Sequence, residues 1–407
     1  MKKIIRLLGL IVILILCSCD NQPNHSKDEK LQNPKQTFTA KPSISNETIS
    51  IYDINNSVIG TIERYEALVL IGDSIIYTKI PTVSDASISE MDYYRYNFKT
   101  KENIKLGTVK NWSYEAKYDT TIIGNSLYML VTTGEIADIA NRTLHLYKVD
   151  LINNTMSVVF SEKGGFPYNS MTAVDNRLLM VRVIKGGSEL EEYNTETKKR
   201  RILQKFDFDD KKNVGEAIRQ ITSDDNTISL LRLKIESGGK SRLFADVYNH
   251  DMKFLRSADV STVSSNSSDG SQNELSQGVS SFVVSNDYLY YANFSITRFL
   301  GKIEDGSLRS VKTVNPEFEM SSEAVKSNRS GLFYQSFSQT NDLYLLNYKD
   351  GTFKKTTFYA DDKRYFIINI SRYNDKLLLT MRYKDPNTGE ELVPKLYYIN
   401  LSDLKFL

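Results

Sequence analysis

From Ile49 to the C-terminus the chain repeats one short pattern: a polar turn, then a run of apolar, β-branched and aromatic residues. The copies are "IGDSIIYTKI" at Asp73, "IGNSLYMLV" at Asn125, "VDNRLLMVRV" at Asn176, "SDDNTISLLRL" at Asn226, "SNDYLYYANF" at Asp287, "SNRSGLFYQSF" at Ser330 and "YNDKLLLTMRY" at Asp375. Successive anchors stand 52, 51, 50, 61, 43 and 45 residues apart. Runs this short, rich in β-branched and aromatic residues and bounded by Gly, Asn and Asp, predict strands. The closest approach to a helical pattern is "KKNVGEAIRQI", which predicts one or two turns at most.

Between anchors lies a second hairpin with its own turn, as in "YYRYNFKTKENIKL", "LHLYKVDLINNTMSVV" and "LYLLNYKDGTFKKT". Two hairpins per period give four strands. Four antiparallel strands every 40 to 50 residues predict an all-β fold, a β-propeller whose blades bury their faces against their neighbours. Seven units predict seven blades; a merged unit would give six, and promoting the N-terminal hairpin to a blade would give eight. The extra strand pair "ISIYDINNSVIGTIE", residues 49 to 63, is expected to complete the last blade and hide its edge.

The N-terminus is different. Lys2, Lys3 and Arg6 precede an apolar run from Leu7 to Cys17, broken by Gly9, in the order of a secretory signal. The run is shorter than the roughly 20 residues a transmembrane helix needs. Leu16-Cys17-Ser18-Cys19 resembles the bacterial lipobox, which implies cleavage after Ser18 and lipidation of Cys19. Residues 1–18 are then a lipoprotein signal peptide, and 19–47 the lipidated cysteine with a tether. That stretch has three prolines, no glycine and few large apolar residues, so it reads as disordered. Its span as a flexible coil is roughly 30 Å. The propeller domain occupies 48–407. The resemblance implies a bacterial cell-envelope protein, extracytoplasmic and membrane-anchored through Cys19.

Among propeller families, "LLMVRVIKGGSELEEYNTETKKRRIL", with Gly186-Gly187 and Tyr193, resembles a kelch blade, as does the unit with Gly238-Gly239 and Tyr248. Both lack the closing tryptophan of that family. "NDYLYYANF" and "DLYLLNYKDGT" resemble the TolB-like and YWTD-like extracytoplasmic propellers. With Trp112 as its single tryptophan, the chain departs from WD40 and Asp-box patterns.

The connections between second and third strands, and between blades, are expected to be the longer and more variable ones; they fall on one face of a propeller and are the default binding site. They carry Trp112 and Tyr114 in "KNWSYEAKYD", Phe166 and Tyr168 in "EKGGFPYNS", and Asp209 and Asp210 in "DFDDKKNVGEAIR". Phe318 in "NPEFEMSSEA" and Tyr359, Asp361 and Asp362 in "FYADDKR" complete the set. Flat rings beside carboxylates suit a sugar or peptide. The competing reading is that such aromatics wedge blades together and the Asp pairs are solvated turns. The insertion 261–278, "STVSSNSSDGSQNELSQG", lacks the alternating carboxylates of a calcium loop and reads as a flexible loop.

Composition narrows the function classes. Without the three basic residues of the signal, 49 Lys and Arg face 50 Asp and Glu, so no basic stripe for nucleic acid is expected. His25 lies in the tether, His145 in an alternating strand and His250 in a turn; no catalytic triad, nucleophile elbow, phosphate loop, metal site or cofactor is expected. Two readings follow. One is a non-enzymatic platform for a protein or glycan partner. The other is a polysaccharide-acting glycoside hydrolase or lyase whose loop carboxylates include one with a raised pKa.

Overall fold

A computed structural model describes residues 47–50, 64–80, 90–110, 118–134, 142–163, 170–184, 186–209, 211–261, 279–285, 287–293, 298–304, 306–313, 318–320, 322–323, 330–335, 340–348, 352–360, 363–384 and 391–407. All lie within the compact unit 41–407. The fold is all-β. Glu47–Ser50 is β1, and Arg64–Ile71, Ser74–Ile80, Glu90–Asn97 and Asn103–Lys110 are β2–β5, the first four-stranded antiparallel meander. Tyr118–Ile123, Ser126–Thr133, Thr143–Asp150 and Thr155–Lys163 (β6–β9) form the second. Ser170–Val174, Arg177–Ile184, Gly187–Asn194 and Arg200–Asp209 (β10–β13) form the third, and Val214–Ser223, Thr227–Ile235, Ser241–Asn249 and Phe254–Asp259 (β14–β17) the fourth. Val279–Ser285, Tyr288–Asn293, Arg298–Glu304 and Gly306–Thr313 (β18–β21) form the fifth. The sixth takes Phe318–Met320 (β22), then, past Ser322–Glu323 (β23), Ser330–Gln335, Asp342–Asn347 and Thr352–Thr357 (β24–β26). Phe366–Tyr373, Lys376–Lys384 and Glu391–Asn400 (β27–β29) form the last, with the N-terminal β1 as its fourth strand: Glu47 pairs with Tyr398 and Ser50 with Lys395.

Period-two alternation sends neighbouring residues of the second strands to opposite faces, and both faces are buried. On β7, Leu127, Met129 and Val131 pack with Ile76 and Met91 of the first meander. Tyr128 and Leu130 pack instead with Met171, Leu178 and Met180 of the third. On β11, Leu179 and Val181 pack with Ile218 and Ile228 of the fourth. The same rule builds a core between the fourth and fifth, through Leu231, Leu233 and Tyr291, and between the fifth and sixth, through Tyr290 and Phe333. Leu332 and Tyr334 pack with Leu377 and Leu379 of the last. Leu378 and Leu396 of the last meander pack with Leu70, Ile75 and Tyr77 of the first.

Turn chemistry explains the anchors. Gly72, Gly124, Asp175 and Asn374 hold φ between 51° and 56° in the turns joining first and second strands, where Gly, Asn and Asp are tolerated. The next residue then does structural work with its carbonyl. Asp73, Asn125, Asn176, Asp287 and Asp375 each accept a backbone N–H from the third-strand end of the same meander, donated by Phe98, Leu151, Thr195, Ile303 and Leu401. Each of these five anchors thus ties the two hairpins of its unit together.

Several expectations are corrected. "KKNVGEAIRQI" is no helix: Val214–Ser223 is strand β14, because Ile218 and Ile221 are buried against the third meander and its backbone pairs with β15. The connections expected to be long are short around the third meander. Two residues separate β11 from β12, and β13 runs into β14 through a hairpin in which Phe208 pairs with Gly215 and Asp209 with Val214. Gly187, just after the first of these, lets β13 approach β12 closely. A Cβ there would stand 1.9 Å from the Phe206 carbonyl oxygen. The tether, most of the 49–63 segment and residues 262–278 lie outside the described residues.

Candidate functional site

First strands of consecutive meanders lie side by side and are stitched by polar groups. The Met171 N–H on β10 donates to the Asp119 carboxylate on β6. Ser170 donates its hydroxyl to the Ile221 carbonyl on β14 at 2.9 Å, Thr172 and Ser223 share a hydrogen bond at 2.6 Å, and Ser223 also reaches the Ala173 carbonyl at 3.0 Å. Farther along, the Ile218 N–H donates to Ser188 at 2.8 Å. These bonds fix β14 against the third meander. β18 flanks it on the other side.

Arg219 sits where this strand departs from regularity. Ile218 pairs with Arg232 and Gln220 with Leu231, so Arg219 is the extra residue of a β-bulge. A bulge re-aims its side chain, and the first strands β2, β18 and β27 carry one as well. The guanidinium makes no hydrogen bond or ion pair with the described residues, and burial holds its pKa below the ordinary arginine range. Tyr291, in the core between the fourth and fifth meanders, is the titratable group whose charge reaches it. Glu216, three residues earlier, is engaged by Arg232 at 3.1 Å and Lys234 at 3.6 Å. Thr222 and Ser229, opposite each other in register, each bury a hydroxyl oxygen with no hydrogen-bond partner among the described residues.

Elsewhere, buried polar side chains on third strands are satisfied by their neighbours. Glu191 meets Arg182 at 3.0 Å and Arg200 at 2.5 Å, and both arginines also meet Glu162 of the second meander. Burial opposes the Arg200 charge, but hydrogen bonds and attraction from Glu162 and Glu191 outweigh it, and its pKa is raised. Asp246 is held by Arg232 at 2.5 Å and accepts the Ser257 hydroxyl; Asp342 accepts from Thr340 and Thr357 and pairs with Lys355 at 2.7 Å. His145 bridges Thr133 through Nε2 at 3.0 Å and Ser161 through Nδ1 at 2.7 Å. Burial lowers its pKa, so it is neutral at pH 7. These arrangements pin strands to one another.

The sequence-predicted residues fare unevenly. Asp209 accepts the N–H groups of Lys211 and Lys212 and stands 3.6 Å from the Lys212 ammonium; the two backbone bonds and that charge hold its carboxyl below the usual range. It therefore caps a hairpin turn. Phe318 opens β22 opposite Gln335, and Tyr359 is 53% exposed just after β26. Cys19, Trp112, Tyr114, Phe166, Tyr168, Asp210, Asp361 and Asp362 lie outside the described residues. Among the described carboxylates with displaced titration, Asp73, Asp92, Asp150 and Asp209, every displacement is downward. No group of three or more metal-binding side chains occurs among the described residues.

Sequence reasoning missed Arg219. Its one signal was an arginine among the apolar residues of "EAIRQI", which a helical reading places on a solvated face.

No protein-family model matches the chain. No curated protein matches it either. Solved structures that resemble it include the β-propeller domain of the Trilobed protease from Pyrococcus furiosus, at 14% identity and a TM-score of 0.49, covering 85% of this chain and 98% of that one. An α-L-arabinofuranosidase mutant from Fusarium graminearum in complex with an iminosugar inhibitor matches at 11% identity and a TM-score of 0.42, covering 84% and 94%. A putative 6-phosphogluconolactonase from Bacteroides fragilis matches at 12% identity and a TM-score of 0.43, covering 80% and 95%. At these scores the likenesses carry no argument about what this chain does.

Proposed function

We propose that the chain is a lipid-anchored extracytoplasmic protein of the bacterial envelope whose seven meanders close into a β-propeller, and that the propeller is a binding platform for a protein or glycan partner. One observation carries the architectural part: apolar cores join each meander to the next, and a further core, Leu378 and Leu396 against Leu70, Ile75 and Tyr77, joins the last to the first. The strand β1 beside β29 supports the same closure, since the N-terminus supplies the last meander's fourth strand. Anchoring rests on Cys19 and the signal before it. The platform face is that of the connections carrying Trp112, Phe166 and Tyr168.

The glycoside hydrolase or lyase reading needs two convergent carboxylates, one with a raised pKa. Asp73, Asp92, Asp150 and Asp209 are all pulled the other way and supply no such acid, whereas the platform reading needs none. The test is affinity capture from detergent-solubilised envelopes with the full-length protein, beside a Trp112→Ala, Phe166→Ala, Tyr168→Ala variant. Specific recovery of one protein or glycan by the first and not the second is the expected result. Equal recovery by both moves the binding face elsewhere, and hydrolysis of a polysaccharide by the unmodified protein favours the enzyme.

A further inference from the structure

We propose that the junction of the fourth and fifth meanders is a binding site for an oxyanion, a carboxylate or phosphate group, held by the guanidinium of Arg219. Other enclosed arginines of this fold are matched to an acceptor: Arg200 to two glutamates, Arg232 to Asp246 and Glu216, Arg95 to the Leu151 carbonyl and Asn154, and Arg372 to Asn374 and Ser330. Arg219 has no such match among the described residues, although it is only partly exposed. A guanidinium withdrawn from water without a counter-charge is costly, and the cost is recovered when an anion supplies it. The planar fork suits carboxylate and phosphate, which accept two parallel N–H bonds.

Three features make this a site rather than a stray cation. The bulge at Arg219 takes the side chain out of the alternation that turns Ile218 and Ile221 toward the third meander. The one carboxylate on the same strand, Glu216, is already shared by Arg232 and Lys234, so the fold does not neutralise Arg219 from within β14. Three residues further along β14, Thr222 lies opposite Ser229, each about 1% exposed, with hydroxyls that find no partner among the described residues. Ser229 shares its face of β15 with Leu231 and Leu233, which pack with Tyr291. A ligand oxyanion on Arg219 would therefore have two further hydroxyls on the same side of the β14–β15 pair. None of these residues belongs to the loop face proposed above, so either proposal can fail alone.

The test is calorimetric titration of the full-length protein in detergent with inorganic phosphate and with acetate, at constant ionic strength in chloride, with glucose as the uncharged control. Saturable binding of an anion, but not of glucose, is expected, with at least a tenfold loss of affinity in Arg219→Gln and an intermediate loss in Arg219→Lys. Arg309→Gln, an exposed arginine that pairs with Glu304, should leave affinity unchanged. Tighter phosphate points to a phosphorylated ligand, tighter acetate to a carboxylate. Absence of saturable binding to the unmodified protein overturns the proposal, as does unaltered affinity in a folded Arg219→Gln. Should that variant not fold, Arg219→Lys decides: unchanged affinity overturns the site, a several-fold loss supports it.

Discussion

Tyr398 donates its phenolic hydrogen to the carboxylate of Asp73, joining strand β29 of the C-terminal meander to the first turn of the N-terminal one. The same hydroxyl stands 3.3 Å from the Gly72 carbonyl, and the Tyr398 ring stacks on Phe98 with centroids 4.5 Å apart. Asp73 also serves its own meander, through the carbonyl that accepts Phe98 N–H at 2.8 Å. One turn residue thus holds a local unit and a contact between residues 325 positions apart.

Tyr398→Phe should cost about 1 kcal/mol at pH 7, the net worth of one hydrogen bond. Lys99, at 2.8 Å, and Tyr398 hold the Asp73 pKa below its ordinary value of 3.8. A depressed folded-state pKa stabilises above the unfolded value and loses that contribution as pH falls through the folded one. Urea midpoints measured between pH 6 and pH 2 should therefore fall less steeply in the variant. Parallel curves would mean that the contact contributes nothing.

His145 makes the opposite type of group behave in the same direction. Burial lowers its folded pKa from 6.5, so the unfolded chain binds the proton first. Its contribution is full above pH 6.5 and is lost as pH falls through the folded value. In His145→Gln, the fall in stability on acidification below pH 6.5 should be smaller, and NMR of the unmodified protein should show a neutral imidazole at pH 7.

Glu191 is 5% exposed and depends on Arg182 and Arg200 for compensation. Removing Arg200 leaves Glu191 and Glu162 to share the Arg182 guanidinium alone, an under-compensated buried charge, so Arg200→Ala should destabilise by about 3 kcal/mol. The loss includes the guanidinium 4.0 Å above the Phe160 ring. Arg309→Ala, at a side chain 71% exposed, should change stability by less than about 0.5 kcal/mol. Chemical denaturation of both variants separates a buried network from a surface pair.

Two adjacent kinds of glycine should differ sharply. Gly187→Ala places a methyl group 1.9 Å from a backbone oxygen at φ 149°, and should cost roughly 2–4 kcal/mol from overpacking and backbone strain. Gly239→Ala, at φ 81° with open space around it, should cost about 1 kcal/mol from the left-handed conformation alone. Similar thermal midpoints for the two would show that the β12–β13 approach is soft.

Turns and strands were readable from the chain because a few consecutive residues encode them. Turn residues at Gly72, Gly124, Asp175 and Asn374 take the left-handed conformation their types allow, and the strands they join alternate as the apolar runs require. The four-stranded unit and its recurrence were legible for that reason. Tertiary structure decided the rest, because it concerns residues far apart in the chain. "EAIRQI" satisfies a short helical pattern and a strand pattern equally well; burial of Ile218 and Ile221 against the third meander selects the strand, and the bulge it carries isolates Arg219. The polar links Asp119–Met171 and Thr172–Ser223 depend on first strands being neighbours, which no local pattern states. Asp209 and Asp210 read as a binding loop from composition, whereas the pairing of Asp209 with Val214 makes the segment a hairpin whose own amides occupy the Asp209 carboxylate. Local sequence fixes backbone conformation through sterics and turn chemistry; which side chains meet, and which charge is left without a partner, follows from packing one unit against the next.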